Sequence, residues 1–209
     1  MLYLVLILIF AFLIAIKTLD CYLRSAKGKG VLGEKLVSMR LRDGLGPEYE
    51  ILNDIYLPTQ DGATTQIDHV VVSKYGIFVV ETKNYSGWIF GDAKAAKWTK
   101  SDYGKKSQFQ NPMRQNYRHI CALSENLGIP KDYFIGIVAF CGTGEFKTEM
   151  PEGVVYSRRA AKYIKSYSSQ IIKDEQVHEI AEVILEWQAT LSKQQIAAHV
   201  QNLNVRHAK

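Results

Sequence analysis

Residues 65–84, TQIDHVVVSKYGIFVVETKN, hold two short apolar runs whose ends carry charge, and few folds accommodate that. Thr65 to Val72 and Ile77 to Lys83 read as β-strands joined through Ser73, Lys74, Tyr75 and Gly76. Asp68 and His69 interrupt the first run; Glu81 and Lys83 bracket Thr82 at the end of the second. Side chains alternate across a sheet, so Glu81 and Lys83 share a face. A four-residue connection closed by Val72 and Ile77 sets Asp68 opposite Glu81, whereas a three-residue one would oppose it to Thr82 and send Glu81 and Lys83 to the other face. Four-residue connections are commonly built on a type I turn, and Gly76 suits a left-handed residue leaving it, so the even register is expected.

Adjacent carboxylates push one another's pKa upward unless a cation lies between them. Mg²⁺ is held by one or two carboxylates, water and substrate phosphate oxygens. An ammonium beside such an ion can orient or deprotonate a water and offset charge in a phosphoryl transition state. The same spacing also fits a solvated Glu81–Lys83 ion pair with Asp68 as a strand-end residue.

The N-terminus differs in kind. Leu2 to Ile16 is uninterrupted apolar sequence, reaching Leu19 if Lys17 snorkels, which is the short end of what a spanning helix needs. A cleaved signal would want a basic leading region and a small-residue cleavage site, and lipoprotein processing at Cys21 is disfavoured by the preceding Asp20. A buried core helix or an uncleaved signal competes with the spanning reading. Lys17, Arg24, Lys27, Lys29 and Lys35 all follow the run, so a single-pass membrane protein with its domain in the cytoplasm is expected. The organisation expected is an anchor at 1–20, contacting the membrane through residues 2–19, a basic linker at 21–30, a core at 31–141 and a helical extension at 142–209. With 47% hydrophobic and 22% charged residues the core is globular, and three cysteines without paired spacing indicate neither a disulfide framework nor zinc.

Val31 to Leu45 reads as a helix with Leu32, Leu36, Val37 and Met39 inward and Glu34 in its first turn, where a carboxylate complements the helix dipole. Tyr49 to Leu57 is a strand, and Asp61-Gly62 turns the chain into the Asp68 strand. After a short strand at Trp88 to Phe90, Asn111 and Pro112 open a helix whose apolar stripe is Met113, Tyr117, Ile120, Leu123 and Leu127. That stripe would leave Gln115 and His119 facing solvent. Tyr133 to Cys141 is a continuous apolar run, expected as a central strand parallel to a neighbour, and Gly153 to Tyr156 follows as a strand. Ser157 is expected to cap a short basic helix. Asp174 to Leu191 is an amphipathic helix with Val177, Ile180, Ile184 and Leu191 inward, continued by Gln194 to Val200. The class is α/β: a mixed sheet flanked by helices, behind an N-terminal transmembrane helix.

Between Lys83 and Arg118 stand eight basic residues against Asp92 and Asp102, so a polyanion would bind here, through Lys94, Lys97, Lys100, Lys105, Lys106 and Arg114. Tyr85, Trp88, Trp98 and Tyr103 interleave with them, as stacking partners for unpaired bases or as a local core.

GEKLV at Gly33 to Val37, LNDIYLP at Leu52 to Pro58, QIDHVVVSKYGIFVVETKNYSGWIFG at Gln66 to Gly91, Trp98, and NPMRQNYRHI at Asn111 to Ile120 resemble the nuclease-related domain (NERD) family of the PD-(D/E)XK superfamily. The resemblance runs from about Gly30 to Phe140. It implies a restriction-endonuclease-like core that hydrolyses DNA phosphodiester bonds with Mg²⁺ or Mn²⁺. By the same resemblance Asp68, Glu81 and the Thr82 carbonyl hold the metal, Lys83 aligns a water, Glu34 adds an acidic group, and Gln115 assists from the following helix. The rival reading is a non-catalytic, membrane-tethered module that binds DNA or protein.

Overall fold

A computed structural model describes residues 2–59 and 64–191; the Asp61-Gly62 turn and the Gln194 to Val200 continuation lie outside them. The architecture is the expected mixed α/β one, but its strands divide between two sheets. The larger contains, in order, β1 (Glu50–Pro58), β2 (Thr64–Ser73), β3 (Gly76–Asn84), β7 (Phe134–Cys141) and β9 (Val154–Tyr156). The first three form an antiparallel meander, and β7 and β9 continue it in parallel. Ile77, Phe78, Val79 and Val80 are wholly buried because helices cover both faces of β3.

On one face α2 (Ala26–Gly44) and α4 (Ala160–Ile164) pack over Val71, Phe78 and Val80. On the other, α3 (Pro112–Leu127) and α5 (Asp174–Thr190) cover Val70, Val72, Ile77 and Val79. The expected 21–30 linker is helical on both sides of Ser25, which caps α2 by accepting the Gly28 N–H; this replaces a lost backbone partner and lets the helix begin early. The inward face of α2 is also corrected. Gly33, Val37 and Leu41 are buried, while Leu32 and Met39 are exposed. Gly33 decides this, since a Cβ there would collide with Asn84 Cβ and Cys141 Sγ, so the helix approaches the sheet along its glycine side. Ser157 does not cap its helix; its hydroxyl takes a hydrogen bond from the Arg40 guanidinium on α2.

The smaller sheet runs β6 (Lys105–Gln110), β5 (Lys97–Asp102), β4 (Trp88–Phe90) and β8 (Glu145–Phe146), so the expected strand at Trp88 belongs to this second sheet. Trp98 anchors it, 1% exposed, with its ring stacked 6.1 Å from Phe140 of β7 and its indole N–H donated to the Asp92 carbonyl. Asn111 then caps α3 through the Met113 N–H, and Pro112 occupies the first turn as expected.

Ahead of α2 lies α1 (Leu2–Arg24), whose residues Tyr3–Leu23 are long and apolar enough to cross a membrane. None of that window is buried against the rest of the protein.

Candidate active site

The hairpin takes the even register, with Val72 opposite Ile77 and His69 opposite Val80. The ladder ends with that pair, one step short of Asp68 and Glu81, and beyond it the Thr82 N–H is taken by Asp68 Oδ2 at 2.7 Å. The carboxylate thus stands where a strand carbonyl would have been, and β2 and β3 part beyond it. Glu81 and Lys83 point to the α3 side, where His119 and Gln115 meet them. The Thr82 hydroxyl lies on the other side, 3.1 Å from His69 Nε2, leaving only the Thr82 backbone available to the cluster.

Lys83 Nζ donates to Glu81 Oε1 at 2.5 Å and to Gln115 Oε1 of α3 at 3.1 Å. Gln115 is therefore half-buried and turned toward the sheet. His119, expected at the surface, is 5% exposed, with Nδ1 3.0 Å from Thr65 Oγ1 and Nε2 3.3 Å from Glu81 Oε2. The outward residue is Tyr117, which had been counted in the apolar stripe. The helix is rotated because it crosses the polar end of the sheet: Asn116 is buried and donates through Nδ2 to the Val79 and Ile137 carbonyls, and Gly136 beneath it leaves the room. The i, i+4 pair Gln115 and His119 was the available sequence signal.

Asp54 was also missed. It stands at the β1 position across from Asp68, between the pairs Asn53–His69 and Ile55–Ile67, but takes a left-handed φ of 58°. Such a backbone is uncommon outside glycine and clusters at functional sites. Gln66 Nε2 holds Asp54 Oδ1 at 2.7 Å, and Gln188 of α5 donates to its carbonyl.

The electrostatics separate the two neighbouring carboxylates. Burial, then the charges of Glu81 and Glu34, push Asp68 well above the usual range, outweighing the Thr82 N–H and Lys83. Burial would raise Glu81 too, but Lys83 and the His119 contact overcome it and hold it at about 2. Glu34 reaches the cluster from α2, its pKa raised by burial and by the charges of Asp54 and Glu81. Behind them burial pushes His69 down to about 4, so it is neutral, with Nδ1 2.7 Å from Asn53 Oδ1.

Glu81 Oε2 is buried and makes no hydrogen bond; the His119 ring nitrogen, 3.3 Å away, is its nearest polar neighbour and likewise makes none. An unsatisfied carboxylate oxygen in such a place fits a cation. Among the described residues no three His, Cys, Asp or Glu side chains converge as a ready cage. Two carboxylates with a backbone group match the sparse all-oxygen demand of Mg²⁺ or Mn²⁺ and do not match the closed nitrogen and sulfur sets of zinc.

Of the expected polyanion contacts, Lys94, Lys97, Lys105, Lys106 and Arg114 are exposed, while Lys100 lies 4.8 Å over the Tyr85 ring. Arg114 donates to the Lys94 carbonyl, which ties α3 to the smaller sheet's approach loop.

An uncharacterized protein of Bacillus anthracis is 41% identical over 189 residues, covering 88% of this chain and 87% of the relative. The nuclease-related domain profile matches residues 29–141. That match spans more than half of the chain and takes in both strands of the charged hairpin and the helix facing it, so the protein belongs to the nuclease-related domain family, within the PD-(D/E)XK-like nuclease superfamily.

Proposed function

We propose that the protein is a membrane-anchored, Mg²⁺- or Mn²⁺-dependent nuclease that hydrolyses phosphodiester bonds of DNA. The observation that carries this reading is the meeting of Asp68, Glu81 and Lys83 where β2 and β3 part, with Glu81 Oε2 buried and making no hydrogen bond. Asp68, Glu81 and the Thr82 carbonyl would hold the ion. When bound, the ion supplies positive charge against phosphate oxygens and lowers the pKa of a coordinated water. The Lys83 ammonium has three N–H donors, of which Glu81 and Gln115 use two, leaving one to hold a water or a phosphate oxygen in place. His119 fixes the Glu81 carboxylate from α3, and Glu34 adds negative charge from the opposite helix. Lys94, Lys97, Lys105, Lys106 and Arg114 neutralise the phosphates of the strand being presented.

Purified full chain in detergent should cut linear and supercoiled DNA with Mn²⁺ or Mg²⁺ and leave both intact in EDTA. DNA retained on the protein but intact with either ion would replace the nuclease reading with that of a binding module.

The anchor is tested separately. The exposed apolar helix α1, followed by Lys27, Lys29 and Lys35, should keep the full chain in carbonate-washed membranes. Its C-terminal domain should resist protease added outside intact cells, and digestion there would reverse the topology.

A further inference from the structure

The smaller sheet carries an aromatic ring for which the fold has no use. Beyond α1, the exposed aromatic residues among those described are Trp88, Tyr103 and Tyr117, and the first two belong to this sheet. Trp88 is 53% exposed, and Lys147 lies 5.1 Å over its ring, held there by Glu145. Tyr103 is fully exposed and free of ring contacts.

Its backbone makes that exposure harder to explain as an accident. Asp102 pairs with Lys105, so Tyr103 and Gly104 form a two-residue turn with φ of 47° and 78°. Such turns are filled by Asn, Asp and Gly because both central residues are left-handed. A tyrosine there is strained, and it buries nothing in return. The turn is nevertheless held firmly. Ser86 Oγ donates to Asp102 Oδ2 at 2.6 Å, and Gly87, φ 77°, lies so close under Ser101 and Asp102 that no side chain would fit. Ser86 follows Lys83 by three residues, at most about 10 Å of extended chain. Lys105 and Lys106 are exposed directly after the ring.

Resting on the nuclease reading, we propose that Tyr103 is a stacking platform for an unpaired base. Lys105 and Lys106 then meet the flanking phosphates, and the β5–β6 hairpin selects single-stranded or frayed nucleic acid for the carboxylate site. Within a duplex the base faces are already stacked on one another, so the ring finds a partner only where a strand is open.

The test measures binding of the full chain in detergent and EDTA, by fluorescence anisotropy. The probes are a short single-stranded oligonucleotide and a blunt duplex closed by interstrand cross-links at its two terminal base pairs. Asn tolerates the left-handed turn, so Tyr103→Asn should fold and melt no lower than the wild type. It should weaken single-strand binding about 5- to 150-fold and leave the closed duplex unchanged. Tyr103→Phe keeps the ring and should bind as the wild type does. Unchanged single-strand binding by Tyr103→Asn, or equal loss on both probes, overturns the proposal. Metal-dependent cutting is scored apart from this. A wild type that cuts nothing, yet binds single strands through Tyr103, sinks the nuclease reading and spares the platform. One that cuts while Tyr103→Asn binds normally does the reverse.

Discussion

Lys83→Ala is expected to lower phosphodiester cleavage about 100- to 10,000-fold while leaving nucleic-acid affinity nearly unchanged. The exposed lysines and Arg114 that would neutralise phosphates are untouched, whereas the donor left over after Glu81 and Gln115 is gone. The variant should carry a second signature. Lys83 and Glu81 form a pair whose side chains are only 16% and 3% exposed, and removing one partner strands the other's charge. Metal-free Lys83→Ala should therefore lose up to about 3–5 kcal/mol of stability in urea titrations. Mn²⁺ brings positive charge to the same carboxylate, so it should restore much of that stability without restoring cutting. Wild-type cleavage by the variant, or recovery of both properties together with Mn²⁺, would show that Lys83 serves the carboxylate alone.

The opposite stability effect is expected at Asp68. Burial and the neighbouring carboxylates raise its pKa, so between the ordinary aspartate value and the raised one the folded protein holds a proton that the unfolded chain releases. Stability is therefore lost as pH rises through that window and stays lost above it. Asp68→Asn removes the ionisation yet keeps an acceptor for the Thr82 N–H. In EDTA at neutral pH the variant should be more stable than the wild type, by about 1.4 kcal/mol for each pH unit of that window. The gain should vanish below the ordinary aspartate range, where both chains are neutral at this position. His69 titrates in both proteins and largely cancels in the difference. Cutting should be lost, and Mn²⁺ should raise the melting temperature of the wild type alone. A variant less stable than the wild type in neutral EDTA, or equally stabilised by Mn²⁺, would contradict the placement of a cation between Asp68 and Glu81.

The register of the hairpin was legible because two β-branched runs and an even connection admit few pairings, and Val72 does face Ile77. The parallel strand at Phe134 to Cys141 and the Asn111 cap were legible for similar local reasons. The helix faces were not. Counting apolar residues put Tyr117 inside and His119 outside, because such a count presumes an apolar partner, and α3 lies across a sheet end made of carboxylates and of carbonyls that Asn116 meets. On α2 the contact line runs through Gly33, which carries no hydrophobic signal at all yet sets the closest approach. The β5–β6 hairpin, KWTKSD and KKSQFQ, has Trp98 and Phe109 as its large apolar residues, too few to announce strands. Asp54 could not be seen, since its left-handed backbone appears only when the neighbouring pairs are in place.

The tie between Asn84 and α2 sets how far the carboxylates lie from the end of α1. Asn84, next after Lys83, donates its side-chain N–H to the Lys29 carbonyl at 2.7 Å, one helical turn from Ser25, where α1 has just ended. Were α1 to span a bilayer, the carboxylates would sit at its headgroup surface rather than on a tether reaching into the cytoplasm. A nucleic acid would then have to lie close along an often anionic sheet to be cut. Free coils approaching end-on from solution would be reached before long, stiff duplexes, and anionic lipid content would slow the encounter.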